Sequence, residues 1–446
     1  MKVVFLCGGV GRRMFPITED KFLFNFLGKT LLQHQMERAR EAGFDRFVII
    51  GNPSNMRQIT EIVGTLSGVQ IELALQREAR GIADALKSAQ PFLTGNFVVV
   101  SPNDVFAVSA YTKLLQEHAT KPATSYLLGC EVSSYFPGGY LVVDSAKELK
   151  SIVEKPEPGH EPSNLVNILV HLHTAPEKLL RYIDSVKTTR DDVYECALDK
   201  LVKDGWKIKV VPYADFWMPI KYPWHILGVT KHFLDRAQPQ IPASATISQK
   251  AMVEGKVIMG ENVTVLENAV IRGPVYIGPN CLIGTNALVR EYSHIGADCV
   301  IGYCTEVKGS YIGDGCWFHS SYIGDSIVGK NCSFGAGTIL ANFRFDEQSI
   351  AVSVAGEIVD TGLDKLGAII GDGCMTGVNV SIMPGTKIGP NSIVGSHVCL
   401  TKDLGPDKMI LAEPHYRIVP NPVTSDEAKR KELKKNLEKL GRDRKG

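Results

Sequence analysis

An α/β layer followed by a left-handed parallel β-helix of hexapeptide repeats is the fold this sequence predicts, and three observations predict it. An aliphatic residue, usually followed by Gly, returns every six residues at Ile277, Ile283, Val289, Ile295, Ile301 and Val307. The same beat resumes at Ile370, Thr376, Ile382, Ile388, Val394 and Leu400. A six-residue period fits neither a helix nor a meander, and marks a prism whose short strands each aim one aliphatic side chain at the axis. Residues before the repeats alternate short apolar runs with helical stretches. That alternation predicts a mostly parallel, Rossmann-like sheet with helices on both faces.

The first strand is Val3-Val4-Phe5-Leu6, which runs into the glycine-rich Gly8-Gly9-Val10-Gly11-Arg12-Arg13. A helix over 31–42 ends at Gly43, a residue suited to a C-cap. Strand 47–50, a helix over 55–65, strand 71–74, a helix over 82–89 and strand 97–100 follow. Residues 227–236 read as a connecting helix and close a first domain at 1–236. The Pro-containing stretch 237–242 reads as a linker, across which few contacts are expected. The repeats give a second domain at 243–423, interrupted by a polar excursion over 344–363 that should leave the prism as a loop or β-arm. Residues 424–446 form a charged, basic tail of low apolar content, expected to be a solvated helix.

Composition narrows the function classes. The net charge of +1 argues against a nucleic-acid footprint or a membrane-surface role. No apolar run reaches the ~18–20 residues of a bilayer span, and Met1 leads straight into a strand, not a signal peptide. The ten cysteines lack any C-x-x-C pair, which reads as buried free thiols in a cytoplasmic protein.

The Gly8–Arg13 turn places backbone N–H groups, free of side-chain bulk, where phosphates would lie. It has neither G-x-G-x-x-G spacing nor a following Walker Lys-Ser/Thr. Further segments fall in order after it: Pro16-Ile17-Thr18 with Lys21, Gln76 with Gly81-Ile82-Ala83-Asp84, Asn103-Asp104, Glu154-Lys155-Pro156, and Asn167. Together they resemble the sugar-1-phosphate nucleotidylyltransferases. The resemblance implies in-line attack of a sugar phosphate on the α-phosphorus of UTP or dTTP, in which positioning and charge neutralisation dominate. It assigns the nucleotide to Gly8, Gly9, Gly11, Gln76 and Gly81, and the transferring phosphates to Arg13 and Lys21. It assigns Mg²⁺ to Asp104 and the sugar to Glu154 and Asn167. The chain departs from the family pattern at Asp20, where a proline is usual, at Asn103, where a glycine is usual, and at Pro219. Pro219 occupies the place of a second metal aspartate, which a proline cannot replace; Asp215 is four residues away.

In the repeats, His319-Ser320-Ser321-Tyr322, Gly335-Ala336-Gly337, Asn342-Phe343-Arg344-Phe345-Asp346 and Lys365 resemble the acetyltransferase half of archaeal-type bifunctional enzymes that make UDP-N-acetylglucosamine. Acetyl transfer to an amine needs a base. The resemblance gives that role to His319, the acceptor to Tyr322, Asn342 and Lys365, and a pantetheine ledge to Ala336. It implies acetyl-CoA as co-substrate and a homotrimer. His294 and Asp298 lack such company and read as corner or core residues. Two rival readings stay open. One is a monofunctional UDP- or dTDP-sugar synthase with an oligomerising prism. The other is a non-catalytic sugar-nucleotide-binding subunit, which Pro219 favours. The nucleotide's base and the sugar's 2-substituent are not legible.

Overall fold

The computed structural model describes residues 1–9, 11–413 and 415–442. Strands Gln70–Leu75, Arg46–Gly51, Lys2–Leu6 and Phe97–Val100 lie side by side and run parallel, and Leu165–His173 continues the sheet antiparallel to Phe97–Val100. Val3, Val4 and Phe5 are fully buried because helices cover both faces of this central strand. The first helix, Leu31–Glu41, starts at a reciprocal cap in which Thr30 and Gln33 each accept from the other's backbone N–H. It ends at Gly43, whose φ of 94° few side chains tolerate. Helices Ser109–Thr120, Pro176–Ser185 and Val193–Lys203 also belong to this layer and were not anticipated by the apolar pattern.

The repeats form three parallel sheets around one core. Face 1 runs from Thr246–Ile247 to Met409–Ile410, face 2 from Met252–Glu254 to Cys399–Leu400, and face 3 from Val257–Met259 to Lys387–Ile388. The expected interruption after Val307 is not one. Ile312, Phe318, Ile323, Val328, Phe334 and Leu340 carry the axial core without a break. Some of their spacings shorten from six to five residues, as from Val307 to Ile312 and from Ile323 to Val328. The excursion is a hairpin, Ala351–Val354 with Glu357–Asp360. It leaves at the corner between faces 2 and 3, and the ladder closes behind it through Ile327 against Ile369. Its base is not free in solvent, since Ile350 and Val352 are buried.

The linker does not separate the two parts. Gln240 pairs with Ile258 of the first coil, and the outside of face 3 shares a hydrophobic core with the N-terminal layer. Phe24 and Phe26 pack on Tyr311 at centroid distances of 5.6 and 5.9 Å, and Phe26 stacks on Phe233 of helix His225–Arg236. His294 lies between Tyr276 and Tyr311 in this contact, fully buried, and burial pushes its pKa down to about 3. It is a core residue of the interface, not of the prism axis. At ~1.5–3 kcal/mol per buried large side chain, this contact makes the layer and prism one unit, residues 1–411. Residues 412–446 are a separate unit with a helix at Glu427–Arg442, opened by the Asp426 carboxylate accepting from Ala428 and Lys429. Among the described residues no helix is long and apolar enough to cross a membrane.

Candidate functional sites

The first candidate site lies at the carboxyl ends of the parallel strands, where loops gather in such sheets. Gly8 follows Lys2–Leu6, Gln76 follows Gln70–Leu75, and Asp104 follows Phe97–Val100. Gly8 lies against Gln76, whose Oε1 would have to move because a Cβ on Gly8 would stand 2.0 Å from it. No atom of the described residues lies within 4 Å of a Cβ built on Gly9, so the loop is open on that side. Gln76 Nε2 donates to the Gly81 carbonyl at 3.1 Å and to Asp84 Oδ2 at 3.0 Å. Both amide hydrogens are thus engaged, and Gln76 would meet a base by exchanging those bonds.

Cations gather beside Asp104. Lys21 leans on Gly11, with its Cε 3.5 Å from where a Gly11 Cβ would stand. Burial and then the Lys221 ammonium push Lys21 down to about 8; Asp104 opposes the shift, and Arg13 adds to it. Arg13, Lys21, Lys221 and Asp104 therefore share one neighbourhood. Asp104 is buried, and its Oδ2 accepts from Trp217 Nε1 at 3.0 Å. Pro219 stands directly across from Asp104 in the antiparallel pair. Asp215 is turned away, accepting from Ser109 at 2.7 Å and pairing with Lys113 at 2.9 Å. Among the described residues no group of three or more metal-binding side chains forms.

Lys221, Asn52 and Asn55 escaped the sequence reading. Asn52 donates to the Gly8 carbonyl, and Asn55 to the Cys7 carbonyl and to Asp20. The buried polar run after strand Arg46–Gly51, at a sheet edge that holds ligands, was the signal for the asparagines.

If Lys21 holds the phosphates of a nucleotide, it does so as an ammonium. Because its pKa is lowered, the ammonium is present below about pH 8 and lost above it. The kcat/KM for the nucleotide should fall above that pH, and Lys21→Arg should move the fall to higher pH. A wild-type profile that stays flat well into the alkaline range would overturn the lowered pKa of Lys21.

Glu154 and Asn167 meet over Gly139, where a Cβ would lie 2.9 Å from Glu154 Oε2 and 3.5 Å from Asn167 Cβ. A buried chain holds Asn167: His171 Nε2 donates to its Oδ1 at 2.7 Å, Tyr194 bridges His171 and His173, and Ser125 closes on His173. Burial keeps both histidines neutral by lowering their pKa. Burial, reinforced by Glu154, raises Glu195 to about 8, so a protonated carboxyl stands beside this pocket at neutral pH.

The prism divides its candidates between two corners. His319 is exposed at the corner of faces 1 and 2, and its backbone N–H donates to the Phe334 carbonyl, which places it beside Gly335-Ala336-Gly337 on the next coil. Gly337 has φ 75°, and a Cβ there would run into Asn379. Tyr322 points along face 2 to the other corner, where its hydroxyl accepts from Asn342 Nδ2 at 3.2 Å. Asn342 also donates to Asp325, which pairs with Lys308 at 2.9 Å. Lys365 sits at this corner too, paired across the chain with Phe343. Among the described residues the His319 ring makes no hydrogen bond to Tyr322, Asn342 or Asp325, which bond to one another. Lys308 and Asp325 are further members of that cluster, brought in by the coil geometry.

Comparison with known proteins follows the same division. A family model described as nucleotidyl transferase matches residues 2–219. A GMPPB C-terminal domain model matches 271–366, and bacterial transferase hexapeptide (six repeats) matches 367–402. The chain is 37% identical over 411 residues to the bifunctional protein GlmU of Methanococcus maripaludis strain C7, covering 91% of this chain and 95% of that one. It is 31% identical over 415 residues to a bifunctional sugar-1-phosphate nucleotidylyltransferase/acetyltransferase of Sulfurisphaera tokodaii, covering 91% and 98%. A putative mannose-1-phosphate guanyltransferase of Sulfolobus acidocaldarius is 27% identical over 269 residues, covering 59% and 72%.

Proposed function

The chain belongs to the bifunctional sugar-1-phosphate nucleotidylyltransferase/acetyltransferase family, and from that premise we propose that it acetylates glucosamine-1-phosphate with acetyl-CoA and joins the product to UMP from UTP or dTMP from dTTP. The observation that carries the nucleotidylyl half is the gathering of Arg13, Lys21 and Lys221 beside Asp104 at the ends of the parallel strands. The sugar phosphate oxygen attacks the α-phosphorus, the P–O bond to pyrophosphate breaks, and the three cations neutralise the charge that passes to the leaving group. Asp104 fits Mg²⁺, which takes one or two carboxylates and fills its remaining positions with phosphate and water. Bound there it would supply further charge neutralisation to the reacting phosphates. Glu154 and Asn167 orient the sugar, with Asn167 held by the His171–Tyr194 chain.

In the acetyl half His319 takes the proton as the amine attacks the thioester carbonyl. The C–S bond breaks and the proton passes to the departing thiolate. Tyr322, Asn342 and Lys365 hold the amino-sugar phosphate, and Ala336 lies along the pantetheine. The lack of a bond, among the described residues, from the His319 ring to the Tyr322–Asn342 cluster supports a trimer in which neighbouring copies complete the site. Exposed Trp317, Met375 and Met409 on face 1, and Met252 and Ile339 on face 2, support the same assembly. The unpaired spacing of the cysteines supports a reducing cytoplasm.

Purified full-length chain should release pyrophosphate from UTP with N-acetylglucosamine-1-phosphate and Mg²⁺, release CoA with glucosamine-1-phosphate, and sediment as a trimer. Pyrophosphate without CoA would leave the monofunctional synthase. Sugar-nucleotide binding with neither release would leave the regulatory subunit that Pro219, opposite Asp104, favours.

A further inference from the structure

One cleft of about 750 Å³ is lined by Lys308, Asp325 and Lys365 of the prism corner and by residues that adjoin Asp104. Trp217 and Pro219 line it on one side. The Trp217 indole is bonded to Asp104, and Pro219 is its cross-strand partner. His225, also on this wall, lies 2.8 Å from the Pro219 carbonyl and 3.1 Å from the Lys221 backbone nitrogen. Lys308, Asp325 and Lys365 line the opposite side, and Asp325 accepts from Asn342. We infer that this cleft binds the acetylated sugar-1-phosphate in transit, and passes it from the prism corner to the nucleotidylyl centre without release to bulk solvent.

Size, charge and lining agree with that ligand. The volume falls within the ~300–1,000 Å³ of sites that enclose small molecules. Asp325 is already neutralised by Lys308. Lys231 and Lys365 form no ion pair among the described residues: Lys231 lies 4.4 Å over the Tyr292 ring, and Lys365 lies 5.8 Å over Phe343. Two uncommitted ammonium groups, one at the corner and one on helix His225–Arg236, are successive resting points for a phosphate dianion. Glu291 is the one other carboxylate among the described residues of the wall, and the Arg290 guanidinium lies 3.7 Å from it. Trp217, Trp224 and Leu363 present apolar surface to a sugar ring and an acetyl methyl. No bond is made or broken in the cleft.

The inference rests on the two-reaction reading, and the test separates the two. Full-length protein is given amino-sugar phosphate, labelled acetyl-CoA, UTP and Mg²⁺, with unlabelled acetylated sugar phosphate in ~tenfold excess over the labelled product. Retention predicts that label enters the sugar nucleotide without a lag, diluted less than about twofold because the captured molecule sees a high local concentration. Full dilution with a lag overturns the passage. Lys231→Glu and Lys231→Ala should leave each half-reaction, assayed alone, near wild type and abolish retention. Retention that survives both variants overturns the route. If either half-reaction is missing in the wild type, the two-reaction reading fails instead. Equilibrium dialysis of the acetylated sugar phosphate still tests the cleft in that case, and binding that Lys231→Glu does not weaken overturns it.

Discussion

Asp104→Asn should lower pyrophosphate release on the order of 10²–10³-fold, the loss that follows removal of one preorganised electrostatic contact at a transferring group. Asparagine keeps the shape and an oxygen for the Trp217 indole, so the fold around it should stand. What disappears is the carboxylate beside Lys21, in a neighbourhood that Arg13 and Lys221 share, together with the oxygen suited to a divalent cation. The second aspartate of the family pattern is Pro219 here, so no carboxylate on that strand shares the load. Asp215 cannot move in without breaking its bonds to Ser109 and Lys113. Acetyl transfer, assayed as CoA release, should be unchanged. Pyrophosphate release close to the wild-type rate would mean that the cations alone hold the phosphates.

His319→Ala should lose roughly 10²–10⁴-fold in acetyl transfer, the span of a positioned general base. A purely structural histidine would cost stability when removed, because the groups bonded to its ring nitrogens or packed on its ring faces would be left without partners. His319 is exposed, and its ring makes no hydrogen bond among the described residues, so the melting temperature should stay near wild type. His294 provides the contrast: it is fully buried in the layer–prism contact, and its truncation should act on stability. Measuring CoA release, pyrophosphate release and melting on His319→Ala separates chemistry from folding. Full CoA release in that variant would remove His319 from the mechanism.

The prism was legible because each coil repeats the same demand, one inward aliphatic residue and a tight turn. It became illegible between Val307 and Val328, where some turns lose a residue, since a fixed period cannot follow a changing one. Gly8, Lys21 and Asp104 stood out because each follows a strand or its loop and carries a recognisable residue type. Lys221, Asn52, Lys308 and Asp325 did not, because their surroundings come from neighbours far away in the chain. The linker misled for a related reason. Its prolines describe only its own backbone, whereas the contact between Phe26 and Tyr311 is made across the whole length of the N-terminal layer.

That contact also sets an order of assembly. Apart from the coil that carries the hairpin, each prism strand pairs with its near neighbour in the chain, as Val257 does with Val275 and Ile283 with Ile301. Coil can therefore add to coil at little loop-closure cost. Strand Lys2–Leu6 and the segment carrying Lys21 emerge first during synthesis, yet Phe24 and Phe26 find their partner only once the coil bearing Tyr311 exists. Thr18 and Glu19 likewise wait for Asp372 and Lys330. The segment carrying Thr18, Glu19 and Lys21 is therefore among the last parts to reach its final packing. A nascent chain halted before Tyr311 would hold a folded sheet whose Lys21 segment is still unpacked.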